Sequence, residues 1–161
     1  MISSKNDIKK FLNDGSFKKI FILCGKNSFS TSGAKKFIKE TLIEKETKSL
    51  YKTSNVPILE ELVKIIKDIR QFKPDLILAI GGGTIIDYAK IANLVEIKDD
   101  LKKLIVNYNY PFKNKYTRLA VIPTTAGSGA EVTSNAVIYV DQIKYSFENE
   151  LLKPDNFFLI P

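Results

Sequence analysis

The amino-acid sequence predicts an α/β domain of three layers, in which helices cover both faces of a mostly parallel sheet. Short runs at residues 20–24, 76–80 and 119–122 are apolar on both faces, which is typical of buried parallel strands, and the first strand is expected to begin at Lys19. Strands that alternate with helices form a parallel sheet with right-handed crossovers. The chain has 161 residues, of which 44% are hydrophobic, so it can bury one core, and we expect a single domain over residues 1–161.

The remaining elements can be placed in chain order. The helical spacing of apolar residues predicts helices at residues 4–13, 34–42, 57–69, 84–95 and 101–106. Strand patterns predict a weak second strand at 48–51, a hairpin at 137–141 and 144–147, and one more apolar strand within 151–161. In the helix after the central strand, Ile85, Ala89 and Ala92 are expected to form the buried side.

Three consecutive glycines, Gly81, Gly82 and Gly83, stand between the central strand and the helix that follows it. Glycine lets the backbone approach a ligand closely, and the N–H groups and dipole of a helix N-terminus favour an anion. Thr84 can cap this helix and adds a hydroxyl. The triplet matches neither the GxGxxG pattern nor a Walker loop, and taken alone it is equally consistent with a tight strand-to-helix connection.

A second polar loop follows the strand at residues 119–122. It contributes three hydroxyls, those of Thr124, Thr125 and Ser128. The carboxyl ends of parallel strands meet at the same edge of a sheet, which is where open α/β sheets bind ligands. The two loops are therefore expected to converge on one binding site.

The segments GGGTIIDYAK (residues 81–90) and PTTAGSGAEVT (residues 123–133) together closely resemble the iron-containing (group III) alcohol dehydrogenase family. The resemblance extends from near Ile20 to Pro161. Glycerol dehydrogenase and dehydroquinate synthase share a glycine triplet followed by Asp, but the long Thr/Ser block favours the alcohol dehydrogenase branch. The glycine fingerprint follows a later strand and not the first, so the fold is expected to be a Rossmann-like variant of the dehydroquinate synthase and iron-containing alcohol dehydrogenase type.

In that family a nicotinamide cofactor lies across the sheet edge with its pyrophosphate on the glycine triplet. The resemblance implies cofactor contacts at Gly81, Gly82, Gly83, Thr84, Asp87, Thr124, Thr125, Ser128, Asn135 and Lys144. The glycines and Thr84 would hold the pyrophosphate, and the three hydroxyls of the second loop would line the adenosine and phosphate region. Asp87 would orient the loop or the nicotinamide side, unless it only supports the helix start. Asn135 and Lys144 would reach the cofactor and the cleft, although Lys144 is also consistent with a solvated hairpin lysine.

The turn after the first strand bears on which nicotinamide cofactor binds. In many relatives that prefer NAD, a carboxylate here binds the ribose hydroxyls of the adenosine. This sequence has Gly25 and Lys26 at that place, followed by Ser28 and Ser30, so a cofactor-binding role is assigned to Gly25, Lys26 and Ser28. A lysine and hydroxyls without a carboxylate accommodate a ribose phosphate, and we expect NADP to be favoured over NAD. A structural turn and helix cap would use the same residue types.

The chain contains no histidine. In the family that it resembles, iron or zinc is held by one Asp and three His of a second, helical domain, which follows an Asp-Pro pair at the position of Ile160-Pro161. A metal-activated alcohol needs a Lewis acid before hydride can leave. The 161 residues are therefore expected to form the NAD(P)-binding half without catalysing the reaction alone, and no catalytic or metal-ligating residue is assigned within them.

The resemblance implies that the complete protein acts on a small alcohol or aldehyde. Its expected partners are the helical metal-binding domain or a second copy of the chain. Two alternative functions remain open, namely a stand-alone nucleotide-binding module without catalysis and one half of a dehydroquinate synthase-like lyase. A histidine-bearing helical reading frame downstream would favour the dehydrogenase over the stand-alone module.

The charge and the apolar runs exclude other partners. The formal net charge of +7 is carried almost wholly by lysines scattered along the chain, with Arg70 and Arg118 as the only arginines, which is unlike a nucleic-acid interface. No apolar run is long enough to span a membrane and the first residues are polar, so we expect no membrane partner and a cytoplasmic location. The single cysteine, Cys24, is expected to be a small buried apolar residue.

Overall fold

A parallel sheet crosses the centre of the computed structural model, which describes residues 3–25, 29, 33–125 and 127–159. The strands are β1 (Lys19–Gly25), β2 (Glu46–Lys52), β3 (Leu76–Gly81), β4 (Arg118–Pro123), β5 (Asn135–Val140), β6 (Ile143–Glu148) and β7 (Asn156–Phe157). Five of them form the sheet in the order β2-β1-β3-β4-β7, and every neighbouring pair is parallel. β5 and β6 form a separate antiparallel hairpin, as the sequence predicts.

Helices cover both faces of this sheet. They are α1 (Lys5–Leu12), α2 (Ala34–Thr41), α3 (Leu59–Phe72), α4 (Gly83–Leu94) and α5 (Leu101–Val106). Phe21 and Leu23 of β1 belong to the core formed with α3 and α4, whereas Ile20 and Ile22 belong to the core formed with α1 and α2. The predicted three-layer α/β fold with a mostly parallel sheet is confirmed. Across the described ranges, no helix combines the length and the apolar character that a membrane crossing requires.

Helix α4 is buried around its whole circumference. The expected apolar side at Ile85, Ala89 and Ala92 is buried, but so are residues on the other sides of the helix, including Tyr88 and Lys90. The helix packs against β3 and β4 of the sheet, α3 and the hairpin strand β5. Thr84 and Asp87 in the first turns are half-buried, but every residue from Tyr88 to Leu94 is buried, so the polar side chains in that part need partners inside the protein.

The start of α3 differs from the prediction. The sequence predicts that this helix begins at Pro57, but Ile58 is extended and the helix begins at Leu59. The backbone N–H of Tyr139 in β5 donates a hydrogen bond of 2.7 Å to the carbonyl oxygen of Pro57, and Ile58 forms a bridge with Tyr139. This pairing with the hairpin keeps the backbone extended for one more residue.

The last part of the chain also differs from the prediction. A single apolar strand is expected within residues 151–161, but the structure has a 3₁₀ turn at Glu150–Leu152 and then β7, which is only two residues long. The side chain of Asn149 accepts a hydrogen bond from the N–H of Leu151 and so caps the turn. Pro154 has no backbone N–H to give to a sheet, and β7 therefore begins only after it.

The carboxyl end of α4 is held by Arg70 of α3. One guanidinium nitrogen donates to the carbonyl oxygens of Ala92 and Val95, at 3.3 and 3.1 Å, and the guanidinium carbon lies 3.8 Å from the centre of the Tyr116 ring. Burial lowers the pKa of Arg70, although nearby tyrosine and glutamate side chains favour its charged form. The planar guanidinium can bind two carbonyls and stack on a ring at the same time, which a lysine ammonium cannot do.

We predict that Arg70→Lys lowers the free energy of unfolding by about 1–2 kcal/mol, because hydrogen bonds to the last carbonyls of α4 and the stacking on Tyr116 are lost. The measurement is urea denaturation followed by circular dichroism. Arg118→Lys is the matched control, since Arg118 is exposed and lies 5.5 Å from the centre of the Phe17 ring, and its change should stay within about 0.5 kcal/mol. Equal losses for the two variants would contradict the role given to Arg70.

Candidate nucleotide-binding site

The glycine turn lies at the carboxyl end of the central strand. β3 ends at Gly81 and α4 begins at Gly83, so Gly82 is the N-cap residue. Gly82 has φ −80° and ψ −173°, an extended conformation that any residue can adopt, and the backbone angles therefore do not require glycine here. A Cβ atom at Gly82 would lie 2.9 Å from Oγ1 of Thr125, and one at Gly83 would lie 3.3 Å from the Ser128 side chain. The close approach of the second loop is what favours glycine at these positions.

The two polar loops meet as the sequence predicts. The last residues of β3 and β4, Gly81 and Pro123, are paired neighbours, and the N–H of Thr124 donates a hydrogen bond of 3.1 Å to the carbonyl oxygen of Gly81. Thr125 and Ser128 are exposed beside the glycine turn. The glycine backbone and the three hydroxyls predicted from the second loop therefore lie at one edge of the sheet.

The first turn of α4 offers free donors to an anion. The N–H groups of Ile85 and Ile86 both donate to the carbonyl oxygen of Gly82, at 3.0 and 3.2 Å. The preceding N–H groups, those of Gly83 and Thr84, come too early in the helix to have an acceptor within it. They lie at the positive end of the helix dipole, which favours a phosphate.

One buried hydroxyl at this turn also lacks a partner. Oγ1 of Thr124 is buried and, among the residues that the structure describes, forms no hydrogen bond. A buried polar atom without a partner is unfavourable by itself, and a bound ligand would satisfy it. A pyrophosphate carries acceptor oxygens, so it fits both this hydroxyl and the free N–H groups of the helix.

The role predicted for the Thr84 side chain as a cap is wrong. Gly82 is the N-cap residue, no side chain caps the helix, and Thr84 is the second helical residue. Its hydroxyl donates a hydrogen bond of 3.2 Å to the carbonyl oxygen of Asn55, in the chain that follows β2. The hydroxyl proton of Thr84 is thus already used, and its backbone N–H is the group that remains for a phosphate.

Asp87 lies one turn further along α4, beside the hairpin. Burial raises the pKa of Asp87 to about 6, although the positive charges of Lys90 and Lys144 and a hydrogen bond from the backbone of Val137 act in the opposite direction. Lys144 is exposed on β6, and its positive charge favours the ionised form of Asp87. Asn135 is also exposed, at the start of β5.

Lys90 is a further site residue, to which the sequence assigned no role. It is only 1% exposed, and its ammonium donates to the carbonyl oxygens of Thr133 and Asn135, at 2.8 and 2.9 Å. Burial lowers the pKa of Lys90 to about 8, although Asp87 and Glu131 favour its charged form. Lys90 thereby ties the end of the second loop and the start of the hairpin to α4. A lysine flanked by the small and apolar residues Ala89 and Ile91 is the signal that would have identified it.

Glu61 is a second buried polar residue that the sequence did not reveal. Its carboxylate accepts hydrogen bonds from the N–H and hydroxyl groups of Thr53 and Ser54 and from the hydroxyl of Tyr88. Burial opposes the ionisation of Glu61, but these hydrogen bonds outweigh it and lower the pKa of the carboxyl to about 2. No sequence pattern indicates this cluster, because its members come from three separate segments.

The structure describes only part of the turn that follows β1. Gly25 is buried as the last residue of β1, which pairs with β3, so it reaches the same edge of the sheet as the glycine turn. Lys26, Ser28 and Ser30 lie outside the described residues. Cys24 is fully buried as predicted, and burial raises the pKa of its thiol to about 12, so it is not a thiolate ligand or nucleophile at neutral pH.

The residues do not fit an iron or zinc ion. The chain has no histidine, and within the part that the structure describes no group of three or more Cys, Asp or Glu side chains is placed to hold a metal. The site at the sheet edge consists instead of backbone N–H groups and hydroxyls, which suit an anion.

The matched proteins agree on one family. The model of the iron-containing alcohol dehydrogenase family matches residues 3–161. An alcohol dehydrogenase from Thermococcus barophilus is 33% identical over 111 residues, which cover 65% of this chain and 29% of that protein. An NADPH-dependent butanol dehydrogenase from Clostridium saccharobutylicum is 34% identical over 106 residues, which cover 62% of this chain and 26% of that protein. The crystal structure of sulfoacetaldehyde reductase from Bifidobacterium kashiwanohense in complex with NAD+ has a TM-score of 0.84 at 22% identity, over 100% of this chain and 43% of that one.

The topology and the glycine turn define a Rossmann-like α/β fold. The family model matches nearly the whole chain, and the chain belongs to the iron-containing alcohol dehydrogenase family. It spans less than half the length of the relatives compared above.

Replacing Asp87 with Asn tests the pKa of about 6. The carboxyl ionises with its ordinary pKa of 3.8 in the unfolded chain but keeps its proton to about pH 6 in the folded chain. Ionisation is thus less favourable in the folded state, and the wild type should lose stability relative to Asp87→Asn as the pH rises between these two values. The difference in the free energy of unfolding should reach about 2 kcal/mol above pH 6, allowing for the partial exposure of Asp87.

Urea denaturation at a series of pH values measures this difference. Asp99→Asn is the matched control, because Asp99 is exposed in the turn before α5. A difference between Asp87→Asn and the wild type that stays constant from pH 4 to pH 7 would show that Asp87 has an ordinary pKa.

Proposed function

We propose that this chain binds a nicotinamide dinucleotide and serves as the nucleotide-binding domain of an oxidoreductase that interconverts alcohols and aldehydes. The observation that carries the proposal is the glycine turn at the N-terminus of α4, whose first N–H groups have no acceptor within the helix, next to a loop in which the buried Thr124 hydroxyl has no partner among the described residues. Membership of the iron-containing alcohol dehydrogenase family supports the choice of a nicotinamide cofactor and of an alcohol or aldehyde as substrate.

Each group of residues has a separate task in this proposal. The N–H groups of Gly83 and Thr84 bind the pyrophosphate, and Gly82 leaves room for it. The hydroxyls of the second loop line the adenosine and phosphate region. Asp87, Asn135 and Lys144 lie further along the cleft and orient the nicotinamide side.

The cofactor would accept or donate the hydride, and the chain's own residues would bind and orient the cofactor. Activation of the alcohol needs a Lewis acid, and the chain has no histidine and, over its described ranges, no cluster of three acidic or cysteine side chains to hold one. We therefore assign the metal, iron or zinc, to a separate helical domain, and we expect that residues 1–161 alone do not turn over alcohols. The remaining partner in the proposal is a second copy of the chain. We also propose that the protein is cytoplasmic, which suits an enzyme that draws on the cellular pool of nicotinamide cofactor.

We further propose that NADP is preferred to NAD. The sequence after β1 has Gly25 and Lys26 with hydroxyls and no carboxylate, which suits a ribose phosphate. The butanol dehydrogenase relative is NADPH-dependent by name, whereas the sulfoacetaldehyde reductase was crystallised with NAD+, so both cofactors occur among the similar proteins.

The first test compares nucleotide binding by the wild type with binding by a variant in which one glycine of the turn is replaced. Isothermal titration of the chain with NADPH and NADH should give a binding isotherm, and Gly82→Val should raise the dissociation constant at least about tenfold, because a valine would displace Thr125 and fill the phosphate space. Gly15→Val is the control, since a Cβ at Gly15 has no atom within 4 Å. Bound nucleotide should also raise the melting temperature of the wild type and the control. If Gly82→Val binds nucleotide as tightly as the wild type does, the assignment of the phosphate to this turn is wrong.

The second test compares the two cofactors. We expect NADPH to bind about fivefold more tightly than NADH, which is the size of one added charge-assisted contact at a solvent-exposed position. Lys26→Ala should abolish the difference by weakening NADPH binding alone. Tighter binding of NADH by the wild type would reverse the proposed preference without affecting the assignment of the glycine turn.

A further inference from the structure

A short segment between β2 and α3, residues 53–58, lies beside the nucleotide-binding site and is held by buried polar side chains. We call it the linking segment. It leaves the sheet after Lys52 and ends where α3 begins at Leu59. Only one end of it pairs with a strand, at Ile58, so its position depends on contacts from the elements around it.

Helix α4 contacts the linking segment through one of its faces. Thr84 and Tyr88 are four residues apart and therefore lie on the same side of the helix. Thr84 donates its hydroxyl proton to the carbonyl oxygen of Asn55 at 3.2 Å. The hydroxyl oxygen of Tyr88 accepts a hydrogen bond of 2.8 Å from the N–H of Ile58 and lies 2.8 Å from the hydroxyl of Ser54. The helix whose N-terminus forms the phosphate site thus holds the segment at several points.

Helix α3 holds the same segment from its first turn. The Glu61 carboxylate accepts hydrogen bonds from the backbone N–H groups of Thr53 and Ser54. It also accepts a hydrogen bond of 2.8 Å from the Tyr88 hydroxyl. Glu61 is 8% exposed and Tyr88 is fully buried, so the hydrogen bond between them forms away from water, while the hydrogen bonds from Thr53 and Ser54 are partly buried. Charge-assisted hydrogen bonds in such surroundings are strong, and they fix the start of the segment.

The far end of the linking segment is joined to the hairpin. The N–H of Tyr139 donates a hydrogen bond of 2.7 Å to the carbonyl oxygen of Pro57, and Tyr139 is paired with Lys144 across the hairpin. Residues of the segment and of the hairpin line a cavity of about 460 Å³, among them Val56 and Gln142. The segment therefore connects the helix that carries the phosphate site to the hairpin that carries Asn135 and Lys144.

We propose that Tyr88 and Glu61 are positioning residues for the cofactor: by fixing the linking segment, they set the spacing between the glycine turn and the β5–β6 hairpin. This inference rests on the proposed nucleotide-binding function. A dinucleotide spans both places, so a segment ordered in the free protein lets it bind without first ordering the cleft. If the network is loosened, the binding-competent arrangement is populated less, and the apparent affinity falls by the same fraction.

A purely structural role would predict something different. Tyr88 and Glu61 would then only hold α3 against α4, and removing a hydrogen bond would lower stability without changing affinity. The two roles are separated by a pair of variants that lose the same kind of buried hydroxyl, one inside the network and one outside it.

Tyr88→Phe removes the hydroxyl from the network and keeps the ring. Tyr110→Phe is the matched control, because the Tyr110 hydroxyl is also hydrogen-bonded inside the protein, to the N–H of Glu96 at 2.6 Å, near the opposite end of α4. Both variants should lower the melting temperature by about 3 °C. Only Tyr88→Phe should raise the dissociation constant of NADPH, by about fivefold, in titrations of the 161-residue chain.

Two further readouts separate positioning from stability. The amide hydrogen of Ile58, which donates to Tyr88 in the wild type, should exchange faster in Tyr88→Phe, and saturating NADPH should slow it again. The fluorescence of bound NADPH should shift towards that of the free cofactor in Tyr88→Phe and not in Tyr110→Phe. Glu61→Gln keeps the shape of the side chain but removes its charge, and it should change affinity and fluorescence in the same direction as Tyr88→Phe.

The inference would be overturned if Tyr88→Phe and Glu61→Gln bound NADPH as tightly as the wild type does. Their melting temperatures would then fall only as much as that of Tyr110→Phe. Failure of the wild type to bind any nicotinamide nucleotide would overturn the proposed function itself. The two failures are distinguished by the wild-type titration, which is performed first.

Discussion

The burial of helix α4 on all sides is the constraint on which the rest of the structure depends. An enclosed helix cannot shift or rotate without moving the sheet, α3 and the hairpin together, because protein interiors are closely packed. Its N-terminus is thereby fixed at the carboxyl end of β3. Enclosure also means that every polar side chain from Tyr88 to Leu94 must be satisfied internally, and the partners of these side chains determine the surrounding loops.

Three of these polar side chains link α4 to different parts of the molecule. Tyr88 binds the linking segment, Lys90 binds the carbonyl oxygens around Thr133 and Asn135, and Asn93 exchanges hydrogen bonds with the backbone of Thr117 before β4. Each of these hydrogen bonds would contribute little in water but matters inside the protein, where an unpaired polar group costs about twice the net value of a hydrogen bond. The helix whose N-terminus forms the proposed phosphate site thus also organises the loops around it.

The chemistry of the sheet edge suits an anion and not a transition-metal ion. Backbone N–H groups, hydroxyls and a helix dipole bind an anion without needing a titratable group, so phosphate binding can be completed within this chain. Metal activation of an alcohol requires nitrogen or several carboxylate ligands in a fixed arrangement, and a chain without histidine is poorly equipped for it.

The sequence by itself determined the α/β class, the central strand and the two converging loops, because apolar runs and glycine turns are local patterns. It did not determine that Gly82 is favoured by the nearness of Thr125, that Thr84 binds Asn55 instead of capping its helix, or that the last strand is only two residues long. Nor did it indicate Glu61 or the role of Lys90. These features depend on which distant segments meet around α4, and only the tertiary structure brings a carboxylate, a phenol and three loops within hydrogen-bonding distance of one another.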